Sequence, residues 1–448
     1  MEENNPHLIR GIGLGGAVSA NILNMVGIGP FLTIPIALAA MGGPQAILGW
    51  ILGAFISVCD GMVWAELGSA MPVSGGPYYY LLEIFGPRSF GRLISFIFLG
   101  QALIIGPLSA ASGAVGFAEY SRYLVPWLSH SDMIGLAVLV VLANTGLVYR
   151  NIRSIGLISM LITVVVIGTS LWIIFAGVTH FHAATAFSFP AGAFRLSRGF
   201  FVGLGAATLI ALYDYGGYYN VCLFGEEVRD PTKTIPRAIL LSIACVAFLY
   251  LAMNISILGV LPWQRGIQSH AIVADFMELI YGPLGGKAVS WLILVASFAS
   301  VFAILLGYSR IPYAAAVDGR FFAPFAKLHS TGKFPYVSVL AMGLLSALAC
   351  VFSLAALITV LIIVQTMVQF IGQCIAVMVL RQRAGKKFQS YKMPLYPVPA
   401  LIALAGWVYI VVTSEWKYIG LSLILITFGI AVYMVRAYRA AEWPFGAA

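Results

Sequence analysis

Two carboxylates lie inside apolar runs of the chain. Asp60 falls in the run 45–66 and Asp214 in the run 199–225, and neither run contains a Lys or Arg. An acid in such surroundings binds a cation, carries a proton or contacts trapped water. Asp60 is therefore a candidate proton relay, or a buried acid hydrogen-bonded to Ser57 on the same helix face. Asp214 is a candidate cation ligand, or the cap of a broken helix.

Glutamines form a second polar group within apolar sequence. Gln365, Gln369 and Gln373 recur every four residues, so a helix places them on one face. Gln101 lies in a separate apolar run. Carboxamides in such positions either bind a polar solute or hydrogen-bond a neighbouring helix, and both interpretations stay open.

Further polar residues are candidates for gating or ion coupling. With Asp60, these candidates are Glu66, Glu226, Glu227, Ser297 and Ser300. Glu66 ends its apolar run, where a gate or a cap is expected. Glu226 and Glu227 can form a loop ion pair or an inner gate with Arg229, or they can transfer protons. The two serines share one helix face, and their spacing of three residues, rather than adjacent positions, weakens the case for a sodium site. We expect no metal centre and no cofactor, because no CxxC pair occurs and the six histidines lie in tails or loops.

The composition identifies the elements that must hold these residues. Of 448 residues, 61% are hydrophobic and 9% are charged, whereas soluble domains have about 25% charged residues. Soluble and disordered chains are thereby excluded, and a membrane helix needs about 20 apolar residues. The apolar runs predict twelve spans, at 11–40, 45–66, 93–117, 132–149, 154–177, 199–225, 238–261, 288–309, 336–352, 356–380, 395–413 and 418–435.

The charges predict the orientation of these spans. With twelve spans, nineteen of the 25 Lys and Arg residues fall on the side of the N-terminus. The positive-inside rule then predicts a multi-pass protein of the cell membrane with both termini in the cytoplasm. The net charge of +9 is explained by this topology and by attraction to anionic membrane lipid, so no nucleic-acid partner is expected.

Two of the predicted spans are interrupted near mid-membrane depth. Span 1 contains Gly27 to Pro30, and span 6 contains Tyr213 to Gly217. Because five spans separate the two breaks, the two halves of the chain enter the membrane from opposite sides, which is typical of an inverted repeat with discontinuous helices at a binding site. The alternative is that these glycines permit close helix packing.

Three segments resemble known motifs. They are GIGPF at 27–31, AELGSAMPVSGGPYYYL at 65–81 and GEEVRDPTKTIPRAI at 225–239. With them the chain resembles the amino acid, polyamine and organocation transporter superfamily. The resemblance implies an all-α membrane protein with twelve transmembrane helices, a leucine-transporter-type 5+5 inverted repeat, broken helices 1 and 6, and two extra C-terminal helices. The implied divisions are a cytoplasmic tail at 1–10, five-helix repeats at 11–177 and 199–380, helices 11 and 12 at 395–435, and a cytoplasmic tail at 436–448.

The resemblance also implies a substrate site formed chiefly by spans 1, 3, 6, 8 and 10. Backbone amides of the first break would contact a substrate carboxylate, and the second break would surround an amine, as the charges of helix ends favour. The candidate substrate-binding residues are Gly27, Ile28, Gly29, Gln101, Tyr213, Asp214, Tyr215, Gly216, Gly217, Gln365 and Gln369.

Two departures from the family pattern favour a cationic amine. Pro30 has no N–H to donate, and Asp214 adds a carboxylate where many amino acid carriers have an uncharged residue. We expect a secondary active transporter, not an enzyme, that imports amino acids or polyamines with protons by alternating access. The alternatives are an exchanger of neutral zwitterions, a sodium-coupled symporter and, more distantly, a channel or intramembrane enzyme. The expected partners are the small-molecule substrate, protons or sodium, and membrane lipid, with the protein a monomer or homodimer.

Overall fold

The computed structural model describes residues 10–73, 75–150, 155–317, 319, 321–329, 334–384 and 390–446. Within these ranges the regular secondary structure is helical, apart from one isolated parallel bridge between Ile12 and Val228. The α-helices are α1 (Leu14–Met25), α2 (Gly29–Leu32), α3 (Ile34–Met41), α4 (Ile47–Ala70), α5 (Pro77–Phe85), α6 (Phe90–Leu124), α7 (His130–Arg150), α8 (Ile155–Thr179), α9 (Ala183–Ala186), α10 (Arg198–Tyr215), α11 (Pro231–Leu258), α12 (Trp263–Gln268), α13 (Ile272–Tyr308), α14 (Arg310–Val317), α15 (Tyr336–Ala349), α16 (Leu354–Gln365), α17 (Ile371–Ala384), α18 (Val398–Thr413) and α19 (Trp416–Ala440).

Length and apolar composition make this a membrane protein. Among the described residues, eight helical segments are long and apolar enough to cross a bilayer, and three shorter apolar helices accompany them. Large apolar side chains point outward, including Phe175, Phe248 and Phe428, each more than half exposed. Such a surface suits lipid rather than water. The all-helical membrane fold is confirmed, while the count of twelve spans and the inverted repeat stay predictions.

Both predicted helix interruptions are present. The first apolar segment ends as a helix at Met25 and resumes at Gly29, and α10 ends at Tyr215 before a short 3-10 turn at Asn220–Leu223. Gly217 has a φ of +113°, and a Cβ atom there would lie 3.0 Å from the main-chain carbon of Asn24. A glycine is therefore needed both for the backbone angle and for the close approach of α1.

Several helices extend beyond the predicted spans. Helix α6 starts before residue 93 and runs past residue 117, so Glu119 lies within a helix. Helix α13 is kinked at Gly282, where φ is +73°, and its second part starts a few residues before 288. Helix α19 continues to Ala440, so the first residues of the predicted tail 436–448 are helical, and the tail itself stays a prediction. Isolated charges end an apolar run without ending the helix, because long charged side chains reach the membrane surface. Residues 1–9 and 447–448 of the predicted tails lie outside the described residues.

The two interruptions meet in the middle of the bundle. Helix α2 contacts α6, α10 and α13, and α1 lies along α11. Helix α4 contacts α10, α11 and α18, while α6 contacts α13 and α16. The broken segments are therefore enclosed by long helices that can hold side chains against them.

Candidate functional site

The break between α1 and α2 leaves main-chain donors unused. The N–H of Val26 bonds to Ile22 O at 2.7 Å, and the N–H of Gly27 bonds to Met25 O at 3.1 Å. Among the described residues, no acceptor contacts the N–H of Ile28 or Gly29. Of the three amides predicted to contact a carboxylate, two are therefore free to do so.

Asp214 lies directly against this break. A Cβ atom on Gly29 would overlap Asp214 Oδ1 and would lie 3.1 Å from Tyr213 Cε1. Thr33 Oγ1 donates a hydrogen bond of 2.6 Å to Asp214 Oδ2. Asp214 Oδ1 is buried and has no hydrogen-bond partner among the described residues. The structure thus brings Gly29, Tyr213 and Asp214 together and leaves one carboxylate oxygen free to accept.

Three hydroxyl groups that were not predicted from the sequence also lie at this region, those of Ser112, Tyr120 and Tyr250. The hydroxyls of Ser112 and Tyr213 are 2.9 Å apart. Tyr250 OH donates to Met25 O at 2.8 Å, where α1 ends, and Tyr120 OH donates to Phe31 O at 2.9 Å. Ser112 and Tyr250 lie in apolar runs, and Tyr120 lies just beyond the run 93–117. Only the alignment of distant helices brings these hydroxyls to the break.

The neighbours of Asp214 in sequence fix α10 to other helices. Tyr215 OH donates to Trp50 O of α4 at 3.3 Å, and the N–H of Gly216 bonds to Tyr213 O at 3.2 Å. After the break, the N–H of Val221 donates to Asn21 Oδ1 at 2.9 Å. These bonds hold the two broken segments in a fixed relation.

Three of the four glutamines meet in a second polar cluster, the glutamine cluster of Gln101, Gln365 and Gln369. Gln101 Nε2 donates to Gln369 Oε1 at 3.3 Å, and Gln365 Nε2 donates to Tyr219 OH at 2.6 Å. Among the described residues, Gln101 Oε1 and Gln369 Nε2 have no partner. Gln373 instead donates to the Pro77 carbonyl at 3.3 Å. The cluster therefore retains one free acceptor and one free donor.

A π-helical turn underlies this arrangement. Residues Thr366–Phe370 form the turn between α16 and α17. Such turns have more residues per turn than an α-helix and often occur at functional sites. The turn includes Gln369, and its last residue, Phe370, stacks on Trp407 with ring centroids 4.0 Å apart.

Asp60 is fully buried and both of its oxygens accept hydrogen bonds. Tyr218 OH donates to Oδ2 at 2.5 Å, and Trp407 Nε1 donates to Oδ1 at 3.0 Å, with Cys374 Sγ 3.7 Å from the same oxygen. The pairing with Ser57 was wrong, since the Ser57 hydroxyl has no partner among the described residues. Asp60 is a junction between α4, the segment after α10, α17 and α18.

We expect Asp60→Asn to lower the free energy of unfolding by about 1–3 kcal/mol, because the new NH2 group cannot accept from the donors that face it. Ser57→Ala, three residues away on the same helix, is the control and should leave stability unchanged. Thermal unfolding of the purified variants measures both. Equal stability of Asp60→Asn and the parent protein would contradict this role.

Glu66 forms an ion pair at the end of α4. Arg381 donates to it through two nitrogens, at 2.5 and 2.7 Å, and the N–H of Met393 donates at 2.9 Å. The carboxylate is buried and joins α4 to α17 and to the segment before α18. A gate at Glu66 would have to break this bidentate pair.

The candidates Glu226 and Glu227 lie in the segment between α10 and α11. Glu227 O accepts from the N–H of Ile12 at 3.0 Å, and Arg229 Nε donates to Arg10 O at 3.2 Å. The turn Gly225–Glu227, which includes Glu226, therefore lies beside the start of the described chain.

The two serines of α13 have different surroundings. Ser297 Oγ donates to Gly113 O at 2.9 Å. Ser300 lies close to the first break, where its Oγ would be 3.3 Å from a Cβ atom on Gly27. The suggested sodium site stays a prediction, because a hydroxyl that donates its proton to Gly113 O keeps lone pairs that can coordinate a cation.

Comparison with known proteins agrees with this architecture. Residues 14–438 match the family model described as amino acid permease. The serine/threonine exchanger SteT of Bacillus subtilis (strain 168) is 26% identical over 99% of this chain and 100% of its own length. The human large neutral amino acids transporter small subunit 2 is 27% identical, over 95% of this chain and 80% of its own. The branched-chain amino acid permease BcaP of Lactococcus lactis is 23% identical, over 96% and 93%.

The family match covers both helix breaks, the glutamine cluster and the Asp60 junction. These comparisons and the bundle of apolar helices agree on a multi-pass membrane transporter. The chain therefore belongs to the amino acid permease family.

Proposed function

We propose that this protein is a secondary active transporter that imports amino acids or related organic amines by alternating access, with a preference for cationic amines. The substrate would bind where α2 meets the end of α10. The observation that carries this proposal is the buried, unpartnered Oδ1 of Asp214 beside Gly29.

An ammonium group suits this oxygen. A charge-assisted hydrogen bond is roughly twice as strong as a neutral one, and a carboxylate buried without a partner is costly. Thr33 already satisfies Oδ2, so a bound amine would complete the hydrogen bonding of Asp214. The aromatic ring of Tyr213 adds a surface that can contact the cation or its aliphatic chain.

Proton coupling follows from the same residue. A substrate carboxylate bound at the N–H groups of Ile28 and Gly29 would be repelled by an ionised Asp214. A proton on Asp214 removes that repulsion, so an amino acid and a proton would bind together. An amine without a carboxylate would instead compete with the proton for Asp214.

Solute counterflow in proteoliposomes tests the substrate class. We expect labelled putrescine to exchange more strongly at neutral than at acidic pH, and alanine to show the opposite dependence. Replacing sodium with choline should change neither, because the proposed coupling ion is the proton.

Transport of alanine alone, with the same rate at both pH values, would contradict the preference for amines and the role of Asp214. Dependence on sodium would contradict proton coupling. Protein-free liposomes, and proteoliposomes in which unlabelled glucose replaces the internal substrate, provide the background.

Exchange of neutral amino acids is the second candidate. The names of two relatives describe an exchanger of serine and threonine and a transporter of large neutral amino acids. The free acceptor and donor of the glutamine cluster would suit a hydroxyl-bearing side chain. Counterflow of serine without net uptake would favour this candidate.

A further inference from the structure

A cleft of about 600 Å³ opens at the start of α11, away from the broken helices. One wall is the first turns of α11, with Lys233 and Arg237, and the other is the segment at Ser390 and Tyr391. The cleft lies on the face that holds the start of the described chain, because residues just before α11 bond to Ile12. This face is predicted to be cytoplasmic.

Among the described residues, no carboxylate neutralises the cations of this cleft. Lys233 and Arg237 are four residues apart on α11 and form no ion pair with any described carboxylate. Asp230, which precedes the helix, is not within ion-pair distance of either. Like charges one turn apart destabilise a helix, so an anion between them would relieve the repulsion.

The opposite wall is anchored to α4 and carries hydroxyl groups. The N–H of Tyr391 donates to Ser69 Oγ at 3.1 Å, which holds the wall against α4. Partial burial and the nearby Glu66 carboxylate raise the pKa of Tyr391, so its phenol stays protonated. Thr232 and Ser390 add two further hydroxyl groups to the lining. Two cations and three hydroxyls match the oxygens of a phosphate group.

An exposed apolar stripe leads from this cleft toward the middle of the membrane. Leu241, Cys245 and Phe248 follow Arg237 at helical spacing on α11 and are exposed on the same face. Leu241 is 51% and Phe248 67% exposed. A free phosphate ion would leave this stripe uncovered, whereas a lipid would cover it with an acyl chain.

We propose that the cleft binds the phosphate group of an anionic phospholipid, with Lys233 and Arg237 on the headgroup and an acyl chain along the stripe. Basic pockets between membrane helices on the cytoplasmic side bind such headgroups. The site is separate from the transport site and does not depend on which substrate is carried.

Native mass spectrometry of the full chain, titrated with phosphatidylglycerol or phosphatidylcholine, tests this site. We expect Lys233→Gln combined with Arg237→Gln to weaken phosphatidylglycerol binding about thirty-fold, since each basic residue near an anionic surface contributes about five-fold. Phosphatidylcholine should bind weakly to both proteins. Binding of phosphatidylglycerol should also weaken as salt is raised.

The matched control is Lys327→Gln combined with Arg439→Gln, which removes the same charge outside the cleft. Equal loss in the control would overturn the site, because it would show a general effect of charge. Unchanged binding in the cleft variant would overturn it too. Inorganic phosphate that binds as tightly as the lipid, with the same dependence on the two cations, would overturn the lipid assignment.

Discussion

Uptake of a cationic amine by Asp214→Asn is expected to fall on the order of a hundred-fold, as when one partner of a buried charge pair is removed. Asparagine can still accept from Thr33 through its carbonyl oxygen. Its NH2 group would then occupy the position of the unpartnered Oδ1 and face the ammonium with another donor. Initial rates of labelled putrescine uptake into proteoliposomes measure the change.

Two comparisons make this result specific. Glu415→Gln removes an equal charge at an exposed position paired with Lys417 and should leave uptake unchanged. Alanine uptake by Asp214→Asn should persist but lose its pH dependence, because asparagine resembles the protonated acid. Putrescine uptake equal to that of the parent protein would remove Asp214 from the site.

Gly29→Ala is expected to lower the uptake of every substrate on the order of a hundred-fold or more. A misplacement of about 1 Å lowers the rate by a similar factor at other sites. The added methyl group would overlap Asp214 Oδ1 and lie 3.1 Å from Tyr213 Cε1. The carboxylate would have to leave its bond with Thr33, and the methyl group would occupy part of the space beside the free N–H groups.

Gly100→Ala in α6 is the matched control, because nothing lies within 4 Å of a Cβ atom there. Thermal unfolding of both purified variants checks that each is folded. Normal uptake by folded Gly29→Ala would mean that the substrate binds elsewhere, and the proposed position between the two breaks would be wrong.

The two acids within apolar runs, Asp60 and Asp214, differ in how many of their carboxylate oxygens accept a hydrogen bond. Asp60 receives hydrogen bonds at both oxygens from groups outside α4, so it has little capacity left for a solute. Asp214 receives one bond and keeps one oxygen free. This difference separates a residue that positions helices from a residue that can bind substrate.

The membrane fold and the helix breaks were predictable because each has a local cause. Long apolar runs specify membrane helices, and Gly27, Pro30 and Gly217 interrupt them through their own backbone chemistry. The contact between Gly29 and Asp214 was implied only by the family resemblance, because it joins segments that are far apart in the chain. The hydrogen bond between the same two segments joins Thr33 to Asp214, which is 181 residues further along.

The partners of individual polar side chains were not predictable. Asp60 pairs with Tyr218 and Trp407, which are 158 and 347 residues away, rather than with nearby Ser57. Periodicity gives the face of a helix but not the helix that it meets. The π turn also has no clear sequence signal, although it carries Gln369.

The bonds between Asn21 and the second half of the chain have a consequence for biosynthesis. Its partners Val221 and Ser242 are 200 and 221 residues further along the chain. At about 5–20 residues per second, the ribosome needs about 10–45 s to make them. During that time the Asn21 carboxamide has neither partner, and such a group is costly in hydrocarbon. The first membrane segment, the least hydrophobic of the eight, thus reaches its final stability only after more than half of the chain has been translated.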